Sequence, residues 1–147
     1  MKKGNFIPTY RIQMVQDGHI KAQSISKPEQ ILKSIQSLAL SDREVLVGLY
    51  LNSRNQVIAY NVISMGALNA NLAHPREVFK PAIIKNACGV IVAHNHPSNN
   101  ADPSKADLDV TRRLKNAGMI LGIKLADHII ITPAGKAYSI IKGRPIN

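Results

Sequence analysis

The run Ile91-Val92-Ala93 ends in His94-Asn95-His96, and Ser104 and Asp107 complete the pattern His-x-His-x7-Ser-x2-Asp. This spacing constrains the fold more than any other feature of the chain. Gly89 to Ala93 is a short apolar run and reads as a buried strand. At a strand end, residues i and i+2 project to the same side, so His94 and His96 converge. The polar stretch Pro97 to Asp102 then reverses the chain, and a helix from about Pro103 to Ala117 brings Asp107 back on its first turn. Two imidazoles and a carboxylate make three protein ligands. Structural zinc sites close all four positions, whereas catalytic ones keep one open for water. His94, His96 and Asp107 therefore read as ligands of a Zn2+ ion that activates water.

Water activation also needs a base, and the chain has three glutamates: Glu29, Glu44 and Glu77. Glu44 opens the most apolar run, Val45 to Leu51, where a carboxylate is costly without a partner. Glu77 follows His74-Pro75-Arg76 at a helix start, where a carboxylate already interacts favourably with the helix dipole. Glu44 is the expected base and Glu77 the reserve. Ser104-Lys105-Ala106-Asp107 also fits a helix capping box, a purely structural role.

The rest of the chain alternates strand and helix signals. Tyr10 to Val15 reads as a strand that turns near Asp17-Gly18. Ser26-Lys27-Pro28-Glu29 is a capping box, followed by Ile31, Leu32, Ile35 and Leu38 at helical spacing. Val45 to Leu51 predicts a strand buried on both faces, and Gln56 to Ser64 returns from a turn at Ser53-Arg54-Asn55 to form a hairpin. Pro75 starts a helix that Pro81 should kink or restrict, and Gly118 is the expected stop of the helix after Pro103. Ile123 to Ile131 is strand-like, and Lys136 to Ile141 pairs back after Pro133-Ala134-Gly135. The expected architecture is an α/β domain with a single mixed sheet flanked by helices. Residues 28–147 form it, and residues 1–27 are an extension holding a strand or hairpin.

At 147 residues, 45% of them hydrophobic, the chain can bury one core. No stretch reads as a signal peptide or membrane span, and the one cysteine, Cys88, allows no internal disulfide, so the expected location is cytoplasmic. Nineteen Lys+Arg against nine Asp+Glu give a net charge of +10, which attracts polyanions, nucleic acid first. Aromatics are only 4%, which argues against a platform for stacking single-stranded bases. Any nucleic-acid binding is thus expected to be non-specific. An exposed strand such as Tyr10 to Val15 could pair with a second copy.

Other polar residues read mainly as structural. Cys88 is expected to be a small buried hydrophobe, His74 a helix cap, His19 a solvated turn residue and Ser98 a turn hydroxyl. Asp127-His128 interrupts an apolar strand and needs partners. It is either a satisfied core pair or a support for a metal ligand.

The glutamate with His94, His96, Ser104 and Asp107 resembles the JAMM (JAB1/MPN) metalloprotease signature. His74 to Lys80, Ala93 to Ser98 and Asp127-His128-Ile129-Ile130 are similar to its bacterial RadC branch, over about Pro28 to Ile141. The resemblance implies a curved mixed sheet in a cytidine-deaminase-like α/β/α arrangement. It implies Zn2+ on His94, His96 and Asp107, Glu44 as a base that is not itself a ligand, and Ser104 near the tetrahedral intermediate. The implied reaction is hydrolysis of a peptide, isopeptide or related amide bond. The 147 residues leave no room for the N-terminal helix-hairpin-helix region of longer RadC-like proteins, so the likeness is to the short form. Pro97-Ser98-Asn99-Asn100-Ala101-Asp102 departs from the family's usual Pro-Ser-Gly-Asp but removes no ligand. A second reading is a DNA-associated protein whose metal site is non-catalytic or structural. A two-metal nuclease would need more carboxylates than this set supplies.

Overall fold

The computed structural model describes residues 28–66 and 73–146. Along the chain lie α1 (Pro28–Ile35), a 3-10 turn (Gln36–Leu40), β1 (Val45–Leu51) and β2 (Val57–Met65). Then come α2 (Pro75–Ile84), β3 (Gly89–Asn95), α3 (Lys105–Leu121), β4 (Lys124–Ile131), β5 (Ala137–Ser139) and β6 (Arg144–Ile146). The six strands form one sheet in the order β2-β1-β3-β4-β5-β6. β3 and β4 are parallel and every other pair is antiparallel, so the sheet is mixed, as expected. The parallel pair is joined by α3, the kind of long crossover that such a pair requires.

Side chains alternate across a strand, and the two faces hold different helices. Val45, Val47, Leu49, Ile91, Ala93, Ile129 and Ile131 pack with Ile31, Ile35 and Leu38 of the α1 layer. Leu46, Tyr50, Val90 and Val92 pack on the other face, with Val78 and Phe79 of α2 and Val110 and Leu114 of α3. β1 is buried along its whole length, as its unbroken apolar run predicts. Each fully buried aliphatic such as Leu114 contributes about 1.5–3 kcal/mol of transfer free energy. By the same alternation His94 belongs with Val90 and Val92, on the α3 side. His128, next to Ile129, also faces α3.

Several expectations need correction. Gly118 does not stop α3. The helix runs to Leu121, and Gly122, at φ 69°, provides the left-handed cap. Gly118 instead permits a close approach, since a Cβ there would lie 2.4 Å from the Ile123 carbonyl oxygen. Cys88 is exposed: although its backbone N–H and carbonyl pair with Leu51 and Lys124, it sits just before β3, where the side chain reaches solvent. α2 continues through the buried Pro81 and ends at Ile84. The short strand β6, which pairs with β5, has no signal in the Gly/Pro-rich Lys142 to Pro145. The strand read at Tyr10 to Val15, its turn at Asp17-Gly18 and His19 lie outside the described residues. Among the described residues, no helix is long and apolar enough to cross a membrane.

Candidate metal centre

At the C-terminal end of β3, a central strand of the sheet, two imidazoles project to the same side. His94 is fully buried against α3, and His96 follows on the same side at the start of the loop. The loop is tied down on both sides. His96 N–H donates to the Ile131 carbonyl at 2.8 Å, and the Ala134 N–H donates to Asn99 Oδ1 at 3.0 Å. α3 then starts at Lys105 with Ser104 as its N-cap, so Asp107 sits in the first turn facing back towards β3.

The three side chains converge. His94 Nε2 lies 2.9 Å from His96 Nε2 and 3.1 Å from Asp107 Oδ1, and His96 Nε2 lies 3.4 Å from Asp107 Oδ2. Tetrahedral bonds of about 2.0–2.1 Å to a zinc ion put ligand atoms about 3.3 Å apart. The observed separations fall within a few tenths of an ångström of that. His96 Nδ1 lies 2.7 Å from the Asn100 carbonyl, which can only accept, so this nitrogen carries the hydrogen and Nε2 is left as the donor atom towards the cluster. Two imidazoles and a carboxylate around one point suit a divalent cation, and among the described residues this is the group able to hold one. The residues present fit the ion expected from the sequence.

Charge accumulates accordingly. Burial pushes the Asp107 carboxyl up. The two imidazoles against it, His94 and His96, and the hydrogen bonds from Ser104 outweigh it and hold the group well below the usual carboxylate range. The Asp107 carboxylate beside it, which would accept a hydrogen bond from the charged ring, raises His96, with burial opposing; the Asn100 carbonyl and the charges of Asp107 and Glu44 reinforce the rise. His128 is buried completely, and that burial drives it well below the ordinary histidine value.

The capping-box reading of Ser104 is correct, and it coexists with the cluster. Ser104 N–H and Oγ–H both donate to Asp107 Oδ2 at 2.7 Å, and Asp107 N–H donates back to Oγ at 3.1 Å. The cap thus occupies Oδ2 and leaves Oδ1 turned to His94. Glu44 stands one residue before β1. The antiparallel register Leu46↔His94, carried back two residues, brings it opposite His96. Glu77 is a partly exposed residue on α2 whose carboxylate pairs with Arg76 at 3.1 Å and Lys80 at 2.9 Å. His74 caps α2 by accepting the Arg76 N–H, as expected. Ser98 is exposed in the loop.

Asp127 and His128 divide their roles. Asp127 accepts from Ser139 Oγ and from the His128 backbone N–H, fastening β4 to β5. His128 Nε2 lies 2.8 Å from His94 Nδ1, and Thr111 Oγ1 lies 2.6 Å from His128 Nδ1. Two residues escaped the sequence reading. Thr111 lies one turn after Asp107 on α3, and that i, i+4 spacing was the available signal. Asn95, between the two histidines, points to the opposite side. Its Oδ1 accepts the Val45 N–H at 2.8 Å, and its Nδ2 lies 3.2 and 3.0 Å from the Ser41 and Arg43 carbonyls. Asn95 therefore holds the backbone on both sides of Glu44. A largely apolar groove of about 430 Å³ lies elsewhere, between Leu32, Ala39, Ile131 and Pro133; Ala39 and Ile131 belong to the α1 side of the sheet.

Comparison with known proteins agrees with this geometry. The chain is 45% identical over 117 residues to a UPF0758 protein of Geobacillus thermodenitrificans, covering 79% of this chain and 52% of the relative. It is 48% identical over 105 residues to one from Rubrobacter xylanophilus, covering 71% and 45%. A third, from Methanococcoides burtonii, is 51% identical over 89 residues, covering 60% and 39%. The chain thus spans about half the length, or less, of these relatives. The profile of the RadC-like JAB domain matches residues 25–144, and with that span and the convergent His94, His96 and Asp107 the chain belongs to the RadC-like JAB domain family.

Proposed function

We propose that the protein is a zinc-dependent hydrolase of the JAMM type, acting on a peptide, isopeptide or related amide bond. The observation that carries this reading is the convergence of His94, His96 and Asp107, with the β1–β3 register bringing Glu44 opposite His96. A bound Zn2+ would polarise the scissile carbonyl and make water acidic enough to attack near neutral pH. His94, His96 and Asp107 would hold that ion. Glu44 would accept the proton of the attacking water and return it to the leaving amine, as general acid-base catalysis requires. Ser104 has one hydroxyl hydrogen, which in this arrangement goes to Asp107. For Ser104 to donate to a developing oxyanion, that hydroxyl must turn away from Asp107, and the backbone N–H bond to Oδ2 would then hold the ligand alone.

The test is elemental analysis of the purified protein followed by a screen of peptide, isopeptide and amide substrates. One equivalent of zinc, lost in His94→Ala/His96→Ala, together with hydrolysis that requires Glu44, supports the reading. Full zinc occupancy in the double variant refutes the site. The expected partner is a protein, peptide or amide substrate in the cytoplasm. The net charge of +10 favours a second reading, a DNA-associated protein with a non-catalytic metal site. Zinc without hydrolysis, alongside salt-sensitive DNA binding, would favour it.

A further inference from the structure

We infer that His128 and Thr111 are positioning residues that lock His94 in its Nδ1–H tautomer, through a hydrogen-bond chain that starts on the backbone of Asp107. The inference rests on the metal-centred reading for its consequence but not for its geometry. Thr111 Oγ1 lies 2.7 Å from the Asp107 carbonyl and 2.6 Å from His128 Nδ1. A carbonyl only accepts, so the single hydroxyl hydrogen of Thr111 is committed there. Thr111 then offers His128 a lone pair, and His128 Nδ1 must carry the hydrogen. The His128 ring is fully buried, which disfavours a charged imidazole, and the neighbouring Asp127 carboxylate is engaged by Ser139 and not by the ring. The ring is neutral and its Nε2 is an acceptor. His94 Nδ1, 2.8 Å away, must donate. The remaining nitrogen of His94, Nε2, faces His96 and Asp107 with its lone pair.

Run in the opposite sense, the chain fails at both ends. A hydrogen on His128 Nε2 would force Thr111 to donate to the imidazole and leave the Asp107 carbonyl facing a second acceptor at 2.7 Å. It would also move the hydrogen of His94 onto Nε2, into the middle of the cluster, where it blocks a cation. The deciding atom is therefore the Thr111 hydroxyl. Asp107 and Thr111 are one helical turn apart, so bonding back to the i−4 carbonyl is a local habit of threonine. The helix that carries one ligand thereby sets the tautomer of another ligand on β3. Metal-binding histidines usually rest on a carboxylate, a backbone carbonyl or water. Here a neutral imidazole orients the ring without adding negative charge.

The experiment is long-range 1H–15N correlation NMR of the labelled full chain, read with and without zinc. Histidine signals are assigned by single substitutions. His128 is expected as the Nδ1–H tautomer, opposite to the form solvated imidazoles favour, and His94 Nδ1 is expected to be protonated. Thr111→Val keeps the shape and removes the hydroxyl. It is expected to abolish the fixed His128 tautomer and lower zinc affinity by about 10–100-fold. Thr111→Ser is expected to restore both. His128→Gln keeps an acceptor near the Nε2 position and is expected to retain more zinc than His128→Leu. His128 found as the Nε2–H tautomer in the unsubstituted protein overturns the inference, whatever the variants do. So does Thr111→Val with tautomers and affinity unchanged. A protein with the expected tautomers that binds no zinc would defeat the proposed function while leaving the lock intact. Tight zinc binding with the reversed tautomer would do the opposite.

Discussion

Replacing Asn95 separates the proposed base, Glu44, from the candidate metal ligands. The residue is completely buried and serves three backbone groups around Glu44: the Val45 N–H at 2.8 Å and the Ser41 and Arg43 carbonyls at 3.2 and 3.0 Å. Truncation in Asn95→Ala leaves Val45 N–H buried without this partner, at a cost of about 1–3 kcal/mol. Ser41 and Arg43 lie nearer the surface, so water can replace much of their loss. A total of roughly 2–4 kcal/mol follows from these unsatisfied-group costs, which is a fall in Tm of roughly 5–15 °C for a domain of this size. Asn95→Asp is the sharper variant. Its carboxylate can still accept from Val45, but an ionised group cannot donate to either carbonyl and instead repels both. It should be at least as unstable as Asn95→Ala despite its near-identical shape. Because Asn95 points away from His94 and His96, both variants should keep zinc at temperatures where they remain folded. Hydrolysis should fall, since the segment carrying Glu44 loses its anchor. Thermal denaturation of the zinc-loaded protein, paired with metal analysis, reads both effects. Asn95→Asp with unchanged Tm, or zinc lost from folded Asn95→Ala, would refute this account of Asn95.

Glu44→Gln should retain zinc and lose hydrolysis by about 10²–10⁴-fold, the usual cost of removing a general base. Glu77→Gln is the control, and inactivity there with an active Glu44→Gln would transfer the base to Glu77. Asp107→Asn should weaken zinc binding itself and also loosen the α3 cap, both visible by metal analysis and thermal denaturation. Gly118→Ala should destabilise by about 1–3 kcal/mol through overpacking, because its Cβ would meet the Ile123 carbonyl at 2.4 Å; wild-type stability in chemical denaturation would show that the helix can shift. Any DNA binding should weaken steeply with added salt and ignore sequence, so a sequence-specific complex surviving high salt would contradict the charge argument.

The parts of the site legible in the sequence are those set by local periodicity. Alternation along β3 put His94 and His96 together, and a cap signal at Ser104 put Asp107 on the first turn of α3. Both depend on residues within a few positions of each other. What could not be read depends on pairing between distant segments. Nothing local distinguishes Gly118 from Gly122 as a stop. The Phe79 ring packed against Gly118 comes from α2, a contact that exists only after α3 docks. The roles of Asp127 and His128 were open for the same reason: two adjacent polar residues in a strand face opposite ways, so one meets Ser139 and the other meets α3. Asn95 extends this logic to the motif itself. Along His94-Asn95-His96, the outer residues turn towards Asp107 and the middle one towards the Ser41–Val45 segment. One strand end thereby sets the candidate metal ligands on one side and the backbone around Glu44 on the other. Slipping β3 by one residue would exchange the two faces and lose both, so the register Leu46↔His94 is itself a requirement of the site.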